Sequence, residues 1–161
     1  MSGATHDYRI IDEPQPSKLS HLAVNPFWIL LGGMLGGFWL AGPWFVLNSI
    51  AIGSATRRKE LEWLFYGVLA LLAGLVLVNH LAWRVDEQGW DLRVVRFGVL
   101  AVQLTKLAIY YLLHNQQSRS FQLYEYFGGL VRNGALVAIG ATFVKGYVLA
   151  PFAPILRMVL S

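Results

Sequence analysis

Long apolar segments constrain this sequence more than any other feature. A helix of about 20 residues crosses a hydrocarbon core about 30 Å thick. The chain is 56% hydrophobic and 14% charged, whereas soluble domains are about 45–50% apolar and about 25% charged. These values predict an all-α integral membrane protein with four transmembrane helices. Their predicted bounds are about 26–52, 61–83, 92–113 and 134–156.

The flanking segments are polar. Residues 1–25 carry three acids and two prolines and no apolar run of signal-peptide length, so we interpret them as a polar N-terminal arm. Residues 26–161 are then one transmembrane domain. Pro43 predicts a bend in the long first span, because proline removes a backbone donor inside a helix. Between spans three and four, aromatic residues at helical spacing predict a short amphipathic helix over 118–131 in the headgroup plane.

Lys106 and Lys145 lie in the middle of apolar segments that contain no carboxylate. A cation at the bilayer centre costs roughly 3 to over 10 kcal/mol and marks a functional site by default. Three interpretations stay open. The lysines snorkel to the interface, they bond to carbonyl or polar side-chain groups inside the bundle, or they bind an anion. The anion would be a lipid phosphate, a solute or a carboxylate of another protein, and two cations in adjacent spans favour this third interpretation.

Span three carries further polar residues. At 100° per residue, Arg96, Gln103, Tyr110 and His114 fall within about 40° of one another, and Lys106 lies roughly 80° from Arg96. Lipid cannot satisfy such groups, so this stripe must face protein or water. The predicted ligand- or partner-binding residues are therefore Lys106, Lys145, Arg96, Gln103 and Tyr110.

Four glycines of span one form two overlapping GxxxG frames, a spacing that lets a second helix backbone approach closely. They are Gly32, Gly33, Gly36 and Gly37. Contact inside the bundle and contact with another protein both fit this pattern. Gly67 and Gly74 in span two favour the internal contact.

The sequence lacks the residues that several functional classes require. The chain has no cysteine, and the two histidines nearest the spans, His80 and His114, are expected at opposite membrane faces, so we predict no metal site and no cofactor. The acids lie in the arm or at predicted loops, which leaves no paired carboxylates for enzymatic catalysis. A net charge of +4 with scattered cations indicates loop residues near anionic lipid rather than nucleic-acid binding.

The charge distribution does not set the orientation. With four spans both termini share a side. Arg9, Lys18, Arg84, Arg93, Arg96 and Arg157 then lie on the terminal side, and Arg57, Arg58, Lys59, Arg119 and Arg132 on the other. Orientation follows the excess of lysine and arginine in short loops. Six cations on one side and five on the other predict no orientation.

Two segments carry a resemblance to a known group. The run NPFWILLGGMLGGFWLAGPWFVLNSIAIGSATRRKELEWL resembles the opening of small, uncharacterised bacterial four-span membrane proteins, which share a Gly-Gly-rich first span and a basic run. The stretch FQLYEYFGGLVRNG is similar to the amphipathic segment before their last span. The resemblance implies four spans and a multi-pass location in the bacterial inner membrane, and it brings no activity.

We therefore expect a non-enzymatic membrane protein that acts by binding a partner, as an accessory subunit of a larger complex or as an immunity-type protein. The expected partners are membrane lipids, including anionic ones, and another membrane protein or further copies of the chain. The alternative is a small oligomeric channel or carrier with a cationic path for an anion. Lys106 and Lys145, two cations in spans that contain no acid, favour partner binding, whereas the prolines and the stripe of span three favour a path.

Overall fold

A computed structural model describes residues 17–152 together with residues 157 and 160. Most of the expected N-terminal arm and the end of the expected fourth span lie outside these residues. Within them the chain is helical, with one isolated bridge between Val24 and Arg132, which confirms the all-α class. A 3-10 turn at Ser20–Leu22 precedes the helices, which are α1 (Pro26–Gly36), α2 (Phe38–Ala51), α3 (Arg57–Gln88), α4 (Arg93–Tyr126) and α5 (Ala135–Leu149).

The first apolar segment is not a single spanning helix, which corrects the expected span over 26–52. It breaks at Gly37, whose φ of 110° lies in a region that glycine enters without steric cost. The two helices fold back on each other, because Val24 bonds to Asn48 at one end and Gly33 meets Ala41 at the other. We call this unit the α1–α2 hairpin. Its open end is at Val24 and Asn48, and its closed end is at Gly37.

The chain does not reverse at Pro43, where the sequence predicted a bend. Pro43 lies inside α2, and the chain reverses six residues earlier, at Gly37. With 11 and 14 residues, α1 and α2 are about 16 and 21 Å long, shorter than a hydrocarbon core of about 30 Å. Both ends of the segment therefore lie on the same side of the molecule.

α3 and α4 are an antiparallel pair of long helices. Gly67 faces Ile109 and Gly74 faces Val102, so numbers rise along one helix as they fall along the other. Their 32 and 34 residues correspond to about 48 and 51 Å. They are the two helices of the described residues that are long and apolar enough to cross a membrane.

The exposure of this pair differs from that of a soluble core. In the most apolar 18-residue window, 17% of α3 and 33% of α4 is buried. A helix at the centre of a soluble domain buries most of such a window, because its apolar side chains avoid water. Large side chains such as Phe65, Val76, Phe97 and Leu104 are instead exposed. This exposure supports a membrane location.

The expected interfacial helix over 118–131 is not a separate element. α4 continues without a break to Tyr126, since no glycine or proline occurs between Leu113 and Phe127. Its last turns pack against the rest of the molecule on one side, where Phe121 and Tyr124 contact Ala23, Ala51 and Ile52. Of the aromatic stripe, Phe121 and Tyr124 are therefore part of the core, whereas Phe127 and Val131 are exposed.

α5 packs beside α1 and runs parallel to it. Gly134 lies against Trp28, and Ala141 lies against Gly36 seven residues further along. On the other side of the hairpin, the α4 residue Tyr110 approaches Gly33 and stacks on Phe38. The closed end of the hairpin is thus held between α4 and α5.

Candidate functional site

Lys106 is the most buried cation of the described residues. It lies in the middle of α4 with a relative exposure of 6%. Lys145 on α5 is half-buried and close enough for its charge to act on Lys106. Two ion pairs are formed in the part of the chain that the structure describes, Arg58–Glu62 at 3.1 Å and Asp91–Arg93 at 3.7 Å, and neither involves Lys106.

Tyr110 lies one turn after Lys106 on the same face of α4. Its side chain is fully buried, with its ring 6.0 Å from that of Phe38 and 15° from coplanar. Among the described residues its hydroxyl has no hydrogen-bond partner, and neither does the buried Nδ1 of His114 one turn later. A buried hydroxyl without a partner loses about 1–3 kcal/mol of hydration. The structure thus leaves a donor available next to the lysine pair.

The other expected residues of the stripe separate into two groups. Gln103 is half-buried one turn before Lys106 and makes further polar interactions, as Lys145 does. Arg96 is exposed and lies apart from the pair. Gln103, Lys106 and Tyr110 therefore lie within two turns of α4, and the charge of Lys145 on α5 is close to Lys106. Arg96 is not part of this group.

The glycines of the first apolar segment lie at internal contacts. An added Cβ at Gly33 would be 2.8 Å from the Cβ of Ala41, and one at Gly36 would be 2.8 Å from the Cβ of Ala141. Gly32 faces the ring of Trp44, and Gly37 forms the reversal. These four positions let α1 approach α2 and α5 closely.

A second polar site was not anticipated from the sequence. Asn48, Glu60 and Gln117 are all buried and come from α2, α3 and α4. The Asn48 amide donates to the Gln117 Oε1 at 3.0 Å, and the Gln117 amide donates to the Phe45 carbonyl at 3.0 Å and, weakly, to Glu60 at 3.4 Å. We call these three residues the polar cluster.

The polar cluster extends to the chain on both sides. Asn48 accepts from the Val24 backbone N–H at 2.9 Å and donates to the Val24 carbonyl at 3.0 Å. The Glu60 carboxylate accepts from the hydroxyls of Ser54 and Thr56, and both hydroxyls contact Ser120 on α4. Donors that converge on a carboxylate stabilise its charge without a cation. The cluster therefore joins the open end of the hairpin to α3 and α4.

The sequence contained only a partial signal for this cluster. Asn48, Glu60 and Gln117 each occur where an apolar segment meets a polar one, and such boundary residues are commonly solvated. Only the reversal at Gly37 brings Asn48 beside Val24 and next to α4. The spacing of these residues along the chain does not reveal that proximity.

The histidines and acids of the described residues do not form a metal site. In the described range no three residues among His, Cys, Asp and Glu cluster as metal ligands. His80 instead lies on α3, where its Nε2 accepts from Arg84 at 3.3 Å. Comparison of the chain with protein-family models, curated proteins and solved structures finds no match.

Proposed function

We propose that the chain is a multi-pass integral membrane protein, with α3 and α4 as crossings and the α1–α2 hairpin as a re-entrant unit. The fourth apolar segment would complete a third crossing through α5 and the apolar sequence that follows it. Of the four spans expected from sequence, the first is thereby replaced by a hairpin that enters and leaves on one side. The composition and the exposed apolar side chains of α3, α4 and α5 support this arrangement. A bacterial inner membrane is the proposed location.

The hairpin changes the charge balance between the two sides. Of the 13 lysines and arginines, Lys106 and Lys145 lie in the middle of apolar segments, and Arg9 lies outside the described residues. The remaining ten divide six to four in favour of the open end of the hairpin, and by the positive-inside rule that end is cytoplasmic. The six are Lys18, Arg57, Arg58, Lys59, Arg119 and Arg132, and the four are Arg84, Arg93, Arg96 and Arg157.

Single-cysteine labelling tests this arrangement, because the chain has no cysteine of its own. In intact cells, Lys18→Cys and Ala55→Cys should both resist a membrane-impermeant maleimide until the membrane is permeabilised. Gln88→Cys should label at once. A first segment that crossed as one helix would place positions 18 and 55 on opposite sides. Labelling of only one of these two positions would therefore contradict the re-entrant hairpin.

Within this membrane frame, we propose that the protein is non-enzymatic and acts by binding a membrane partner, as an accessory subunit or an immunity-type protein. The observation that carries the proposal is Lys106, a buried ammonium with the charge of Lys145 nearby and with no ion pair in the described residues. An acidic side chain on a partner's transmembrane helix would offset this charge. The exposed side chains of Leu136, Phe143 and Tyr147 provide apolar surface on α5, the helix that carries Lys145.

Replacing Lys106 by methionine should separate binding from folding. Methionine is unbranched like lysine, one heavy atom shorter, and uncharged. Recovery of the partner, measured by mass spectrometry after gentle detergent extraction, should fall about tenfold or more. The free energy of unfolding in detergent should stay unchanged or rise by about 1–2 kcal/mol, because an uncompensated buried charge is removed.

The matched control is Arg96→Met, which removes an exposed cation from the same helix. It should leave the recovery of the partner unchanged. The free energy of unfolding should stay within about 0.5 kcal/mol of the original value. A loss of stability in Lys106→Met without a loss of partner would mean that Lys106 bonds inside the bundle, and it would overturn the proposal.

A small anion channel or carrier is the second candidate. The stripe of Lys106, Tyr110 and His114 favours it, because the Tyr110 hydroxyl and the His114 Nδ1 are buried without a hydrogen-bond partner among the described residues. Purified protein in liposomes should then conduct an anion, and Lys106→Glu should invert the ion preference. Liposomes that stay silent with the original protein would reject this candidate and leave partner binding in place.

A further inference from the structure

An apolar groove of about 480 Å³ lies between α2 and the beginning of α5. Trp39, Pro43 and Leu47 line it at intervals of four residues, so the groove follows the axis of α2, and Val137 of α5 lines the opposite wall. From Trp39 to Asn48 the helix rises about 13 Å. One leaflet of a hydrocarbon core of about 30 Å is about 15 Å thick. The groove is therefore about as long as one leaflet.

The groove has one polar end. Arg132 and Asn133 line it beside Asn48, at the open end of the hairpin, whereas Trp39 lies near the closed end. The backbone N–H of Arg132 donates to the Ala23 carbonyl at 2.7 Å, and its Nε donates to the His21 carbonyl at 3.0 Å. These two bonds fix the guanidinium at the mouth of the groove. Its terminal amino groups form no hydrogen bond with the described residues.

We propose that this groove binds one acyl chain of an anionic glycerophospholipid, with the lipid phosphate on Arg132. A guanidinium binds phosphate through paired N–H donors, and the apolar wall suits a hydrocarbon chain. The charged end of the groove coincides with the proposed headgroup side, and its apolar end with the membrane interior. The inference thus rests on the membrane placement proposed above, and it adds a specific lipid site to it.

The chemistry of the groove favours a phospholipid over a partner helix as the occupant. Its walls along α2 and α5 are apolar, and its one cation, Arg132, lies at one end. A phospholipid joins an acyl chain to one phosphate and so matches this arrangement, whereas a partner helix would need an acidic side chain at that single position.

Lipid binding to delipidated protein in detergent tests the proposal. Phosphatidylglycerol and phosphatidylcholine with identical acyl chains are added in turn, and bound lipid is counted by native mass spectrometry. We expect phosphatidylglycerol to bind about tenfold more tightly, and Arg132→Gln to remove that preference. Arg119→Gln is the matched control, since Arg119 is an exposed arginine that does not line the groove.

A second variant tests the groove without changing its charge. Val137→Trp places a large ring in the groove from an exposed position on α5, so it should reduce the binding of both lipids. Glycerol phosphate, which has the anion but no chain, should not compete with phosphatidylglycerol. Undiminished lipid binding in Val137→Trp, or an equal loss of preference in Arg119→Gln, would overturn the proposal.

The same preparations distinguish this inference from the membrane placement. Lack of a lipid preference in protein that is extracted from membranes and shows the labelling pattern described above overturns the groove alone. Recovery of the protein outside the membrane fraction overturns both.

Discussion

Replacing Asn48 by leucine is expected to lower the free energy of unfolding by about 3 kcal/mol or more. Leucine has a similar size but no hydrogen-bonding group. The substitution leaves the Val24 backbone N–H and carbonyl and the Gln117 Oε1 without their present partner. Each buried polar group left unsatisfied costs about 1–3 kcal/mol, and no lipid can compensate for it. Reversible unfolding in mixed micelles, followed by tryptophan fluorescence, measures the change.

Asn79→Leu is the matched control for this prediction. Asn79 is an asparagine inside a long apolar helix, but it is exposed. Its replacement should leave the unfolding free energy unchanged or raise it slightly, because apolar side chains suit a lipid-facing position. Equal losses for Asn48→Leu and Asn79→Leu would show that the polar cluster has no special role in holding the hairpin.

The second large effect is expected at Gly33. Even alanine adds a Cβ that would lie 2.8 Å from the Cβ of Ala41 and 3.2 Å from the ring of Tyr110. We expect Gly33→Ala to cost about 1–3 kcal/mol of unfolding free energy by overpacking, and Gly33→Leu to cost more. The larger side chain should separate α1 from α2 and remove the support of the Tyr110 ring.

Gly140 provides a control of opposite sign. It lies inside α5 with no atom within 4 Å of the position of an added Cβ. Gly140→Ala should therefore raise the unfolding free energy by about 0.5–1 kcal/mol, because alanine favours the helix over the unfolded chain. Similar losses at positions 33 and 140 would contradict the close packing of α1 and α2.

Sequence reasoning located the lysines because a charge inside an apolar segment is a local signal. The same reasoning located the packing glycines, because their spacing along the chain predicts a helix face without side chains. That prediction does not depend on which helix packs against the face. It misplaced the first span, because the 27 uncharged residues from 26 to 52 are equally apolar whether they form one long helix or two short ones. It also assigned Phe121 and Tyr124 to a separate helix in the headgroup plane, since an aromatic stripe of that spacing fits a membrane surface or a protein core.

The sequence by itself determined the helical class, the apolar character and the presence of cations inside apolar segments. These properties depend on composition and on periodicity within one helix, and both can be determined directly from the sequence. The tertiary structure alone decided the reversal at Gly37, the polar cluster and the groove beside Arg132. Each of these joins residues that are distant in sequence, such as Val24 with Asn48 and Asn48 with Gln117. The physical reason is that a polar group buried in apolar surroundings requires a partner, and only the path of the chain determines which one lies within reach.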